Sequence, residues 1–252
     1  MLALEIYLSD LENRLDSTIE DEIERQWCKF VELKHEMAIF SPHRPKIVSG
    51  VDWPKINMND AINDIDLMIY SQLKICSETL ETGSGEILCV RMNYGTGIIP
   101  TMLGADLFVM PYKHNILPGS RPLAKGIDDI KNLINKGKWD HNKGLACRVF
   151  ETLDRYQSVV KKYPKILRYI HLYNPDLQAP LALCELLWGS SFYLDIYDNP
   201  SVVCEALDFM TDVYVGFTQK WQLLAPTFDS EHSVEWGLLH RGRTIIRNDA
   251  AM

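Results

Sequence analysis

Apolar residues recur every three or four positions through the first third of the chain and gather into short runs further on. The sequence therefore predicts helices first and strands alternating with helices afterwards. Leu15, Ile19, Ile23 and Trp27 step by four, and Phe30, Leu33 and Met37 extend the stripe. With Ser17 and Glu20 placed as a capping-box pair, this predicts a helix over 17–40. Pro42, Pro45, Gly50 and Pro54 make 41–57 a connector. Ile62, Ile65, Met68, Ile69 and Leu73 predict a second helix over 58–80, ended by Thr82-Gly-Ser-Gly85.

The pattern then changes. Residues 86–92, 105–110, 166–173 and 243–249 read as four buried strands. Helical patterns at 98–103, 126–136, 142–163 and 178–189 lie between them, with Pro164 as the stop of the third. The clearest helix begins at Asp198-Asn-Pro200. There Val203, Leu207, Met210, Tyr214, Phe217, Trp221 and Leu224 form one stripe. Alternation of this kind implies βα units on a mainly parallel sheet. The expected architecture is α/β: a helical N-terminal segment (1–80) followed by the N-terminal part of a (β/α)8 barrel (81–252). A full barrel needs twice the four strands found, so the chain is expected to be a partial, C-terminally truncated one.

Composition narrows the class. Of 252 residues, 46% are hydrophobic and 24% charged, the balance of an ordinary globular protein rather than a disordered one. The net charge of −8 sits mostly in residues 1–40, where ten acids face four bases. No basic stripe is present, which argues against a nucleic-acid partner. No apolar run approaches the length of a membrane span, and the start lacks a signal-peptide pattern, so a cytoplasmic location is expected. The six cysteines lie at least 13 residues apart without a Cys-x-x-Cys, so they are expected to be small buried hydrophobes rather than disulfides or metal ligands.

Three polar clusters fall at or just beyond predicted strand ends, where parallel α/β folds carry their chemistry. They are Asn93 with Tyr94 and Thr96, Asn174 with Asp176 and Gln178, and Arg247 with Asn248 and Asp249. Such side chains can bind a carboxylate, orient a water or move a proton, and they can equally cap helices and close turns. Asp249, directly after an apolar strand, is the candidate catalytic residue. Asn93, Tyr94, Asp176, Gln178, Arg247 and Asn248 are candidate substrate-binding residues. His171, inside a strand pattern, reads as a hydrogen-bonded core or barrel-lining residue, with a functional role as the alternative. No metal site can be assembled from local spacing.

The segment Asn93-Tyr-Gly-Thr-Gly-Ile-Ile-Pro-Thr-Met-Leu-Gly-Ala105 resembles the first barrel segment of the uroporphyrinogen decarboxylase superfamily. Asp176-Leu-Gln-Ala-Pro-Leu-Ala-Leu-Cys-Glu-Leu-Leu-Trp-Gly189, Tyr193-Leu-Asp-Ile-Tyr-Asp-Asn-Pro200 and Gly242-Arg-Thr-Ile-Ile-Arg-Asn-Asp-Ala250 are similar to later segments of the same family, in the same order. The resemblance covers about residues 86–252 and implies a (β/α)8 barrel acting on a small organic molecule. The family's decarboxylases grip substrate carboxylates with an arginine pair after the first strand. Here only Arg91 lies close, which argues against uroporphyrinogen itself as the substrate. The implied chemistry is that of a carboxy-lyase, needing no cofactor. Its alternatives are methyl transfer linked to zinc and a corrinoid, and a non-catalytic binding protein. The expected partner is a small-molecule substrate, with a homodimer as the way a cut sheet would cover its edge.

Overall fold

The computed structural model describes residues 4–36, 39–225 and 228–246. Helices dominate the first part of the chain. They are α1 (Leu4–Arg14), α2 (Ser17–Val31), α3 (Met58–Ala61) and α4 (Ile65–Thr82). The middle holds β1 (Cys89–Val90), α5 (Ile98–Met102), β2 (Leu107–Phe108), β3 (Gly119–Ser120), α6 (Ile127–Lys136) and α7 (Gly144–Val160). The rest comprises α8 (Pro164–Tyr169), β4 (His171–Leu172), α9 (Pro180–Trp188), α10 (Phe192–Asp198), α11 (Pro200–Leu224), β5 (His232–Glu235) and β6 (Leu238–Arg241). No helix among the described residues is long and apolar enough to cross a membrane.

The expected partial barrel is not formed. Among the described residues the strands make three separate pairs: β1 with β4 in parallel, β2 with β3 antiparallel, and β5 with β6 antiparallel. The parallel pair is two residues long on each side. Of the four expected strands, 86–92 shrinks to β1, and the others fall short locally. Pro164 takes the first position of α8, a place suited to its fixed φ and missing N–H, so the first half of 166–173 is helical and only His171 and Leu172 extend. Residues 105–110 fold back on Gly119 and Ser120 as a hairpin whose Leu107 and Phe108 are exposed. Residues 243–246 carry no strand, and Ile246 is 64% exposed. Positions 247–249 lie outside the described residues. Ile87, Val90 and Ile170 are buried as expected.

The described residues divide into two compact units. The first comprises the described parts of Met1–Met92, Thr152–Asn174 and Ala225–Ile245. In α1, Leu4, Leu8 and Leu11 recur at helical spacing and are buried together with Leu15. The sequence reading passed over this helix because buried Asp10 and Arg14 interrupt its apolar stripe. The capping pattern at Ser17 is also displaced by one: Asp16 is the N-cap of α2, accepting from Thr18 N and Ile19 N. The helix ends at Val31, short of the expected 40, and Leu33 follows at φ 56°, almost wholly exposed. Asp64 caps α4 and Gly83, at φ 73°, closes it, so the expected helix over 58–80 is split at Asn63.

The 41–57 connector is pinned by two buried cations. Arg44 forks onto Glu20 at 3.0 and 2.8 Å and donates to the Glu86 and Ser84 carbonyls. Arg14 bonds Asp10, Ser77 and the Ile47 carbonyl, and Asp10 in turn accepts from Ser49 Oγ and Gly50 N. Gly85 passes so close to Pro42 that an added Cβ would lie 2.0 Å from its carbonyl oxygen. Ile23, Trp27, Ile87, Val234 and Leu239 form one apolar cluster in this unit, with Trp27 Nε1 donating to the Gly85 carbonyl at 2.8 Å.

The second unit comprises the described parts of Asn93–Glu151, Pro175–Leu224 and Ile246–Met252. Here the sequence stripe on α11 holds: Val203, Met210, Tyr214, Phe217 and Trp221 are buried, while Leu224 at its end is exposed. Gly144, at φ 53°, starts α7 hard against Thr101, whose hydroxyl accepts from Leu145 N at 2.9 Å. Of the six cysteines only Cys76 and Cys184 are buried. Cys204 is exposed and the others are half-buried, so the expectation of six core thiols holds for two.

Candidate functional site

The parallel pair, short as it is, gathers polar side chains at its C-terminal end. His171 N donates to the Leu88 carbonyl at 2.9 Å and Tyr173 N to the Val90 carbonyl at 3.1 Å. This register brings Arg91, just past β1, beside Tyr173 and Asn174, just past β4. The third contributor is the β5–β6 hairpin. Its two-residue turn is Trp236-Gly237, both at positive φ (49° and 77°), the backbone of a type I′ turn. The turn is tied to β1: Ile87 N donates to the Gly237 carbonyl at 2.8 Å, and Gly237 N donates to Cys89 Sγ at 3.2 Å.

These ties place Glu235 and Trp236 at the strand ends. The Arg91 guanidinium lies 5.6 Å from the Tyr173 ring centroid and 5.7 Å from that of Trp236, within cation–π range of both. The two rings are themselves 6.0 Å apart. Asn174 Nδ2 donates to Glu235 Oε1 at 2.9 Å and to Thr244 Oγ1. Arg91, Tyr173 and Glu235 are all buried, which makes the cluster costly unless its charges are matched. Burial pushes the Tyr173 hydroxyl far up from its ordinary value, against the opposing pull of Arg91. Tyr173 is therefore a neutral O–H donor at any physiological pH, and its hydroxyl makes no hydrogen bond among the described residues. A buried cation over two aromatic faces, with a neutral donor beside it, is suited to a carboxylate.

The residues expected from sequence fall elsewhere. Asn93, Tyr94, Asp176 and Gln178 belong to the second unit. Tyr94 is fully buried, and Gln178, also buried, donates to Asp176 Oδ1 at 2.8 Å, which is turn chemistry of the bland kind. Asn93 Oδ1 is buried without a hydrogen-bond partner among the described residues. Arg247, Asn248 and Asp249 lie outside the described residues. The sequence reading named Asn174 and Arg91 but missed Tyr173, Glu235 and Trp236. The signal for the last two was the alternation around Glu235-Trp-Gly-Leu238, a hairpin pattern that a search for parallel strands passes over. No group of three or more His, Cys, Asp or Glu among the described residues is placed to hold a metal ion.

Comparison with known proteins adds no family to this geometry: no family model, no curated protein and no solved structure matches the chain.

Proposed function

We propose that the chain binds a small organic acid at the end of the parallel pair and acts on it as a carboxy-lyase, the chemistry implied by its resemblance to the uroporphyrinogen decarboxylase superfamily. The observation that carries the reading is the buried Arg91 guanidinium set against Tyr173 and Trp236. Arg91 pairs with a substrate carboxylate, and the Tyr173 hydroxyl donates a second hydrogen bond to it. The flat faces of Tyr173 and Trp236 favour a planar substrate body. Loss of carbon dioxide breaks a carbon–carbon bond and leaves its electron pair on the substrate carbon, to be quenched by a proton. A cation held in place and already desolvated stabilises the developing negative charge with little reorganisation.

The test is calorimetric titration of the purified chain with benzoate, pyrrole-2-carboxylate and benzamide, alongside assay of carbon dioxide release from the two acids. Carboxylates are expected to bind and the isosteric amide to bind at least about tenfold more weakly, since a charge-assisted hydrogen bond is at stake. Equal affinity for acid and amide, or carboxylate affinity unchanged in Arg91→Gln, overturns the reading.

A further inference from the structure

A second feature of the first unit lies at the other end of β4. A cavity of about 640 Å3 opens beside His171, a volume in the range of small-molecule sites. Val160, Leu167, Ile170, Leu172 and Phe228 supply its apolar wall. The polar lining comes chiefly from Glu24, Arg168, His171 and Asp229.

The polar groups are organised. Arg168 Nη1 and Nη2 donate to Glu24 Oε1 and Oε2 at 3.1 and 2.8 Å, and His171 Nε2 meets Glu24 Oε1 at 2.7 Å. A carboxylate only accepts, so Nε2 carries the proton, and in the neutral ring the lone pair resides on Nδ1. Nδ1 makes no hydrogen bond among the described residues. The Phe228 ring, 4.7 Å from the imidazole and tilted 48° to it, limits how the ring can turn. Glu24 thus fixes the tautomer and leaves an acceptor at an apolar-walled cavity.

The charged groups of the lining are already engaged. Arg168 is held by Glu24, and Asp229 accepts from the Glu231 and His232 amides at 2.7 Å and meets His232 Nδ1 at 2.9 Å. An ionic ligand would enter with no countercharge left for it and would lose its hydration. We propose that this cavity binds an uncharged molecule with an apolar body and one hydroxyl, its O–H donating to Nδ1 of His171. The site is independent of the carboxylate site, so either can fail without the other.

The experiment follows the histidine ring nitrogens of the 15N-labelled chain by NMR at pH 8 during titration with four six-carbon-ring probes: cyclohexanol, cyclohexanone, cyclohexanecarboxylate and cyclohexylammonium. Cyclohexanol is expected to shift the His171 nitrogens saturably. The ketone, which cannot donate, and the two ions are expected to bind about tenfold or more weakly. Leu167 is 59% exposed at the cavity wall, so Leu167→Trp should leave the melting temperature unchanged and abolish the cyclohexanol response by filling the opening. No saturable response to cyclohexanol, a response as strong to the ketone or to either ion, or a response that persists in Leu167→Trp each overturns the proposal.

Discussion

Glu20 and Arg44 meet fork to fork inside the first unit, 2.8 and 3.0 Å apart, with 6% and 1% of their side chains exposed. Removing one partner strands the other charge away from water. Arg44→Met is expected to lower stability by roughly 3–5 kcal/mol, whereas Glu20→Leu combined with Arg44→Met should recover most of that loss. Urea midpoints of the three proteins measure it. A double variant no better than the single one would show that the two bonds from Arg44 to the Ser84 and Glu86 carbonyls, rather than the pair, set the cost.

His232 sets a pH dependence. Burial pulls its pKa down, but the hydrogen bond and charge of Asp229, followed by those of Glu32, more than offset this and hold it above the ordinary histidine value. A folded-state pKa raised above the unfolded value of about 6.5 contributes stability fully present below that value and lost as pH rises through the folded pKa. His232→Gln is therefore expected to cost about 1–3 kcal/mol near pH 6 and much less near pH 9. Thermal melts of both proteins across that window check the sign. A larger penalty at pH 9 would contradict it.

At the carboxylate site the Tyr173 hydroxyl makes no hydrogen bond among the described residues, so Tyr173→Phe should leave the melting temperature nearly unchanged. The same change should weaken carboxylate binding about threefold to tenfold, the worth of one hydrogen bond. A variant that melts early but binds normally would mean that the hydroxyl serves the fold instead.

Gly85 is fixed by space. An added Cβ would lie 2.0 Å from the Pro42 oxygen and 2.2 Å from its carbonyl carbon, both backbone atoms that cannot swing aside. Gly85→Ala should cost about 3 kcal/mol or more, at the upper end of overpacking penalties. By contrast Gly126→Ala, with nothing within 4 Å of the new atom and no positive φ, should be nearly neutral in the same unfolding assay.

Turnover of uroporphyrinogen is not expected from this chain. A polycarboxylate needs several charge-assisted contacts, and among the candidates only Arg91 is placed for one in the described residues. Coproporphyrinogen formation by the purified protein, with a uroporphyrinogen decarboxylase as positive control, would overturn this.

Helices were legible where a stripe was long and uninterrupted. On α11 the spacing from Val203 to Trp221 predicted the buried face. Strands were not, because a short apolar run looks the same whether it ends in a sheet or in a helix. Residues 166–173 contain Ile166, Leu167 and Ile170, yet Pro164 draws the first half of the run into α8. The candidate site was legible only in part for a different reason. Arg91 and Asn174 sit beside strand ends in sequence, but Glu235 and Trp236 lie about 60 residues beyond Asn174 and more than 140 beyond Arg91, and reach them through a hairpin turn that local pattern alone does not connect to β1. Such long-range placement is decided by tertiary packing.

The first unit is assembled from three stretches of chain that are far apart in sequence. Its apolar cluster joins Ile23 and Trp27 to Val234 and Leu239, so during synthesis α2 waits more than 200 residues for the side chains that complete its packing. Until then Trp27 and Ile87 lack two of their neighbours. Synthesis adds roughly 5–20 residues per second, which makes that wait on the order of ten seconds or more. During it the nascent chain carries an incomplete apolar face, a surface of the kind chaperones hold.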